Sequence, residues 1–361
     1  MCKLCNLNPQ KTEAFGERMI NSLNEGALML MVSVGHRTGL FDTMSRLEAA
    51  TSHEIAQAAG LQERYVREWL GAMTTGRIVE ARAAPNLEEL HYQLPAEHAA
   101  VLTREVGADN IGVFAQYIPV LGYVEDDIVH CFQAGGGVPY ERYNRFHEVM
   151  QEDSGLAVVS SLVSDVLPLV PGIQQQLEQG IRVLDIGCGS GRALNLMAQH
   201  YPNSVFVGYD LCEEPLETAR REAQQRGLTN VHFEQRDLTH YTPEDAFDFI
   251  TAFDAIHDQA RPDYVLRSVY QSLKPDGSFL MVDINASSQV TQNMDHPVGT
   301  LLYTISTMHC MTVSLAQDGM GLGAMWGREK AREMLYEAGF TQIEEHLLEQ
   351  DFQNRYFIIR K

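Results

Sequence analysis

The chain has 361 residues, 45% hydrophobic and 21% charged, and 48 acidic against 27 basic residues give a formal net charge of −21. That length suits two domains, each able to bury a core, while the negative charge repels phosphate backbones and acidic lipids, so no nucleic-acid partner is expected. No uncharged run reaches the ~18 apolar residues of a membrane span, and six cysteines over this length make no disulfide framework, which points to the cytosol.

In chain order, the opening Met-Cys-Lys-Leu-Cys-Asn does not read as a signal peptide. Cys2 and Cys5 form a C-x-x-C, but no second pair follows at zinc-finger spacing, so no metal is expected. Residues 11–40 place Ala27, Leu28, Leu30, Met31, Val34 and Leu40 at helical spacing. Thr51, with Glu54 three residues on, is a capping box that opens a short helix to residue 59. Gly60 turns the chain, residues 62–73 form a second helix, and residues 76–80 and 91–94 pair as strands. Helix, glycine turn, helix and hairpin make a winged helix. Its second helix sets Arg64 and Arg67 beside Glu63 and Glu68, without the basic face of a DNA reader. Dimerisation is the expected use. Residues 99–135 continue as helix, and the glycine-rich stretch 134–140 reads as a flexible hinge. Beyond it Phe146, Met150 and Ser154 lie four apart on one helical face.

The segment 182–192 reads Arg-Val-Leu-Asp-Ile-Gly-Cys-Gly-Ser-Gly-Arg, and residues 193–200 follow as helix. Strand, tight glycine turn and helix make the first βα unit of a nucleotide-binding sheet. A pyrophosphate cradle reads G-x-G-x-x-G, whereas Gly187, Gly189 and Gly191 alternate and Asp185 precedes them. A carboxylate there suits a ligand with a cationic amino group, which S-adenosylmethionine (SAM) has. A second strand at 204–209 ends in Asp210, roughly 20 residues beyond the first glycine, the spacing at which an acid reaches ribose hydroxyls. Leu211 follows and could lie on the adenine face. Strands at 231–238 and 247–254 bring Asp237 and Leu238, then Phe253, to the same carboxyl edge of the sheet, where ligands collect.

These residues resemble a class I SAM-dependent methyltransferase, and the whole chain is similar to bacterial winged-helix methyltransferases of the mycobacterial type and to plant small-molecule O-methyltransferases. The resemblance implies an α/β fold with a Rossmann-like seven-stranded sheet, its last strand antiparallel, behind a mainly α winged-helix domain. Residues 1–155 would form a dimerisation and substrate-cap domain and residues 156–361 the SAM-binding domain. It also implies a cofactor set of Met150, Ser154, Asp185, Gly187, Gly189, Gly191, Asp210, Leu211, Asp237, Leu238 and Phe253, with S-adenosylhomocysteine as product. In the plant enzymes a His-Asp pair follows the fourth strand and the histidine takes the substrate proton. Here the pair is His257-Asp258. Those enzymes carry a lysine where this chain has Phe253, and two glutamates flank their histidine; Asp283 could replace one, and Arg328 stands at the other.

Between the fifth strand and the last helix, Met308 and Met311 flank His309, the rival base, and with Phe146 they are expected to line the acceptor pocket. Gly319, Gly321, Gly323 and Gly327 around Trp326 read as a mobile lid. Residues 328–338 then form a helix, and 343–348 and 356–360 the closing hairpin. The expected activity is SAM-dependent methylation of a small, largely apolar acceptor, at oxygen with His257 as the general base or at nitrogen or sulfur by alignment alone. A SAM-sensing DNA-binding regulator and a catalytically silent dimer are the readings from other classes.

Overall fold

The side chain of Asn8 accepts hydrogen bonds from the N–H groups of Gln10 and Lys11 and starts α1 (Pro9–Thr38); Gly39, with φ of 71°, ends it in the left-handed region. The computed structural model describes residues 7–83, 89–157, 159–241 and 246–361, which places Cys2 and Cys5 outside the described residues. Two compact units result, Met1–Pro119 and Val120–Lys361.

In the first unit α1 buries only its C-terminal part. Val32, Ser33, Gly35 and His36 are inside, whereas Ala27, Leu30 and Val34 from the expected stripe face solvent. The physical reason is Gly35: a Cβ there would come within 2.5 Å of the Trp69 ring, so the contact face is the one with small residues. The Thr51–Glu54 capping box forms and opens α2 (Ser52–Ala59). After Gly60, α3 (Glu63–Thr75) buries Val66, Trp69, Leu70 and Met73. Phe41 meets Trp69 edge-on at 5.3 Å, and the indole N–H donates to the Met31 carbonyl at 2.8 Å. The hairpin is β1 (Glu80–Ala83) and β2 (Leu90–Gln93). Its first strand starts later than expected, because Arg77 takes φ of 59° and breaks an extended run at 76–80. Arg64 and Arg67 pair with Glu68 and Glu63 on their own helix.

The second unit begins with helices that include α4 (Phe146–Ala157) and then builds the sheet. In order come β3 (Arg182–Ile186), α5 (Arg192–His200), β4 (Val205–Asp210), α6 (Glu213–Gln225), β5 (Val231–Gln235), β6 (Phe247–Phe253), α7 (Pro262–Ser272), β7 (Leu273–Ile284), α8 (Gly327–Ala338), β8 (Gln342–Leu348) and β9 (Asp351–Arg360). Spatial order is β5-β4-β3-β6-β7-β9-β8, with β9 antiparallel to both neighbours and the rest parallel. Both faces are covered, so the strands read as apolar runs. Leu184, Val207, Ile250, Met281 and Phe357 pack on one face, and Val183, Phe206, Phe249, Leu280 and Ile358 on the other. Chain reversal after β3 runs to β4 on one side, and the return to β6 lies on the other side of β3. That switch opens a crevice at the carboxyl ends of β3, β4 and β6.

Three expectations change here. The domain boundary expected at 155/156 lies inside the second unit, whose members α4 and Glu125–Ala134 precede it. The stretch expected as a hinge is docked: the Val138 N–H donates to Thr312 Oγ1 at 2.8 Å, and a Cβ on Gly137 would strike the Thr312 carbonyl. The glycines expected as a lid pack as closely, Gly319 against Ala260 and Ser314 and Gly327 against Ser287 and Ser288. Among the described residues no single helix is long and apolar enough to cross a membrane.

Phe279 sits in β7 with no solvent exposure, next to the Phe340 ring at 6.0 Å. Phe279→Ala should cost about 3–5 kcal/mol through the cavity it leaves. Urea unfolding followed by circular dichroism checks this, and an unchanged midpoint would contradict the described core.

Candidate functional site

The glycine loop is tied to the neighbouring strand. The N–H groups of Gly187 and Cys188 both donate to the Tyr209 carbonyl, at 2.8 and 3.1 Å. All three glycines have positive φ, but their tasks differ. A Cβ on Gly187 would stand 2.5 Å from Ala255 Cβ, and one on Gly191 2.5 Å from the Phe233 ring. At Gly189 a Cβ would meet nothing within 4 Å, so this glycine faces open space. Its N–H donates to Asp210 Oδ2 at 2.8 Å, while Asp210 Oδ1 accepts from the Cys212 N–H at 2.9 Å. Beneath the loop Asp185 accepts a hydrogen bond from Thr251 Oγ1 at 2.7 Å. Burial pushes the Asp185 carboxyl up to about 7, against the pull of that hydrogen bond.

The loop forms the floor of a cleft made of two adjoining hollows of about 150 and 120 Å³, which share His147, Met150, Gly187, Gly189 and Phe253. One hollow holds Asp210, Leu211, Asp237 and Leu238; the other holds Ser154 and Asp185. Every residue of the expected cofactor set therefore lines the cleft except Gly191, which serves helix–strand packing. Asp237 is held by its own turn, Oδ1 accepting from the N–H and Oγ1 of Thr239. The fit to SAM rests on this donor and acceptor set. Asp210 and Asp237 would accept from sugar hydroxyls and an adenine amino group, Asp185 would face the ammonium, and the room above Gly189 would admit close backbone approach.

The opposite wall comes from a turn of π-helix, Ser306–Cys310, which inserts one residue into the helical run. His309 projects from it, stacked on Phe146 with ring centroids 3.4 Å apart and planes 9° apart. Tyr143 and Tyr140 meet the same ring edge-on, at 4.8 and 5.5 Å. Neither nitrogen of His309 has a hydrogen-bond partner, and Nδ1 stands 4.0 Å from Asp258 Oδ2. Burial holds its imidazole well below the ordinary range.

His257 is placed differently. It is 3% exposed and lies behind the cleft wall, whereas its neighbour Asp258 lines the cleft. Its Nδ1 meets Asp283 Oδ1 at 2.8 Å and its Nε2 faces Asp258 Oδ1 at 3.2 Å. Burial pulls its proton affinity down, but the Asp283 and Asp258 carboxylates outweigh it and raise the group well above its usual range. Asp283 thus takes the place expected of it. Arg328 does not approach the histidine; it pairs with Glu329. Met308 and Met311 also fall outside the cleft. The Met308 carbonyl accepts from the Tyr143 hydroxyl, and Met311 lines a separate cavity of about 500 Å³ with Ile128, Phe132 and Leu315. The π turn rotates His309 and its neighbours onto different sides, which an α-helical reading of the spacing does not anticipate.

Sequence reasoning missed Tyr140, His147 and Asp254, all of which line the cleft. Tyr140 sat in the stretch taken as a hinge, and His147 next to a stripe read for its spacing alone. Asp254 has φ of 49°, an uncommon conformation for a residue other than glycine. Its Oδ1 has no hydrogen-bond partner, and burial with the nearby Asp283 pushes its carboxyl well up. The signal for it was an acid at the end of a central strand.

Comparison with known proteins agrees with this geometry. Residues 177–339 match the family model described as a methyltransferase domain, and residues 26–104 the one described as an Rv2258c-like winged HTH domain. The ubiquinone biosynthesis O-methyltransferase of Haemophilus ducreyi is 37% identical over 112 residues, 29% of this chain and 46% of that protein. The chain spans about half the length of the curated relatives it matches. Among solved structures, the mitomycin 7-O-methyltransferase MmcR has a TM-score of 0.69 at 16% identity, over 98% of this chain and 100% of its own. Human N-acetylserotonin methyltransferase in complex with SAM has a TM-score of 0.68 at 15% identity, over 96% and 97%. These two share the fold.

The glycines separate by substitution. Gly191→Ala drives a methyl group into Phe233 and should lower stability by about 1–3 kcal/mol. Gly189→Ala has room for its methyl group, so it should cost only the ~1 kcal/mol of its positive φ while weakening SAM binding. Thermal melts and calorimetry on both variants test this, and equal stability losses with equal SAM affinity would refute the assignment.

Proposed function

Because the chain belongs to the SAM-dependent methyltransferases that carry an N-terminal winged helix, we propose that it transfers the SAM methyl group to a hydroxyl oxygen of a small, largely apolar acceptor, with His309 as the base. The observation that carries this reading is His309 itself. Its ring stands in the wall of the cleft that Asp210 and Asp237 line, with both nitrogens unpartnered. His257, the other candidate, lies behind that wall with each nitrogen facing a carboxylate. Phe146 and Phe253 make the cleft apolar beside His309, which suits an apolar acceptor body. Methylation at oxygen has support from the ubiquinone biosynthesis O-methyltransferases among the curated relatives.

When bound, SAM supplies an electrophilic methyl group on a positively charged sulfur, so no further activation of the leaving group is required. The chain's own residues hold and align. Asp210 presents carboxylate oxygens at the end of β4, already oriented by the N–H groups of Gly189 and Cys212. Asp185 faces the hollow nearer Ser154 and offers the anion for the ammonium. Phe146, Tyr140 and Tyr143 clamp the His309 ring, so its orientation is set before an acceptor arrives. An unpartnered imidazole nitrogen within reach of the acceptor hydroxyl takes its proton as the oxygen attacks. Asp258, at 4.0 Å, steadies the charge that develops on the ring.

A homodimer through the N-terminal domain is part of the same proposal. Phe15, Met19, Ile20 and Leu23 on the first half of α1 are each at least half exposed, and they form a continuous apolar face. The regulator reading has less support, since the arginines of α3 are neutralised by its own glutamates. A gel shift at low salt separates the two.

Three outcomes follow. Asp210→Ala should weaken SAM binding by about 1.5–3 kcal/mol, and calorimetry that finds unchanged affinity would remove Asp210 from the site. Asp185 must ionise to face an ammonium, and its carboxyl titrates at about 7, so SAM affinity should rise roughly tenfold between pH 6 and 8 and then level off; Asp185→Asn should abolish the slope. With S-adenosylhomocysteine release measured over a panel of phenols, carboxylates, amines and thiols, His309→Gln should lower kcat about 10²–10⁴-fold with SAM affinity nearly unchanged. Wild-type turnover in a folded His309→Gln protein would rule out His309 as the base.

A further inference from the structure

We infer that His257, Asp258 and Cys310 form a binding site for one zinc-class divalent cation, set behind the wall of the cleft and separate from the SAM residues. The donor atoms of these three side chains, one nitrogen, one oxygen and one sulfur, lie within 4.8 Å of one another. His257 and Cys310 are 3% and 5% exposed.

The histidine is prepared as a ligand. Asp283 Oδ1 accepts from the Ile284 N–H at 2.8 Å and from the Trp326 indole N–H at 3.0 Å, and it lies 2.8 Å from His257 Nδ1. An oxygen so placed among donors keeps the ring proton on Nδ1 and leaves the Nε2 lone pair pointing at Asp258. A carboxylate behind a histidine is the usual support of a metal-bound imidazole. Nε2 stands 3.2 Å from Asp258 Oδ1, yet that oxygen accepts no hydrogen bond. Two ligand atoms bound at ~2.0–2.1 Å around a tetrahedral ion lie roughly 3.3 Å apart. The observed gap has that width.

Charge argues in the same direction. Asp254, Asp258 and Asp283 crowd one imidazole, and Asp283 Oδ2 and Asp254 Oδ1 have no hydrogen-bond partner either. Buried carboxylates packed this closely are stabilised by a compensating positive charge. A dication between Asp258 and a Cys310 thiolate supplies it, with the Nε2 lone pair of His257 as the third donor. The donor set of imidazole, carboxylate and thiolate selects zinc and its analogues over magnesium or calcium. Three protein ligands leave a fourth position. Asp258 is the ligand that lines the cleft, so an acceptor hydroxyl or thiol reaches the ion from its side.

The test uses the full chain with Cys2→Ser and Cys5→Ser, which removes the other cysteine pair, and needs no SAM, so its result is independent of the methyl-transfer reading. After EDTA treatment, cobalt(II) is titrated in and followed by absorbance. One equivalent should bind, with a thiolate-to-cobalt band in the near ultraviolet and visible bands of tetrahedral strength. Cys310→Ser should remove the ultraviolet band. Asp258→Asn, which preserves size, and Asp283→Asn should each weaken binding about 10–100-fold, and near-ultraviolet circular dichroism confirms that each is folded. Absence of stoichiometric binding overturns the proposal. So does an ultraviolet band that survives Cys310→Ser, which would place the ion at Cys131, Cys188 or Cys212, or unchanged cobalt affinity in Asp258→Asn.

Discussion

Asp210 holds the centre of this structure together. Its two oxygens each take a backbone N–H, one from Gly189 in the loop after β3 and one from Cys212 at the start of α6. The loop is thereby fastened to the end of the adjacent strand, and three consecutive backbone N–H groups, Gly187 to Gly189, point back into β4. A carboxylate buried in this way would be costly without those donors. With them it fixes the height of the loop over the sheet, and the loop fixes the floor of the cleft. The positions of Asp185 below and Leu211 beside it follow from the same attachment.

The two ends of the cleft rest on different kinds of order. The SAM side is built from strand ends and glycine turns, where backbone hydrogen bonds dictate geometry. The side proposed for the acceptor is built from side-chain stacking, with Phe146, Tyr140 and Tyr143 around His309. Backbone order tolerates little substitution, whereas an aromatic wall can be reshaped one ring at a time. A cleft with this division can keep its strand-end floor while its aromatic wall is reshaped.

Most of the sheet was legible because strands covered on both faces write apolar runs, and because glycines alternating after β3 are hard to place in any other turn. The acids expected to line the cleft were legible too, since Asp185, Asp210 and Asp237 stand at or just beyond strand ends whose order is known once the first unit is recognised. Other features were hidden for physical reasons. Glycine serves both turning and close packing, and only the neighbours decide; Gly319 and Gly327 press on backbone from distant segments. The buried face of α1 runs through Val32, Ser33, Gly35 and His36 rather than Leu30 and Val34, because an indole and a phenyl ring press on Gly35. His257 follows its strand as expected, but a sequence does not say which way a ring turns. Here Asp283, on the neighbouring strand, draws it behind the wall.

The π turn at Ser306–Cys310 has a consequence for how such a site can change over time. It holds one residue more than an α-helical turn would, and each residue of an α-helix advances the next side chain by about 100°. Exchanging side chains within the turn alters the chemistry of the wall but leaves its geometry in place. Losing a single codon there would relax the bulge into regular helix, re-aiming the side chains within the turn while those after it keep their facing. His309 and Cys310 would then part from Phe146 and His257 at one stroke. Lineages of this chain can therefore drift in composition along this helix, but insertions and deletions in the turn act as an all-or-none event.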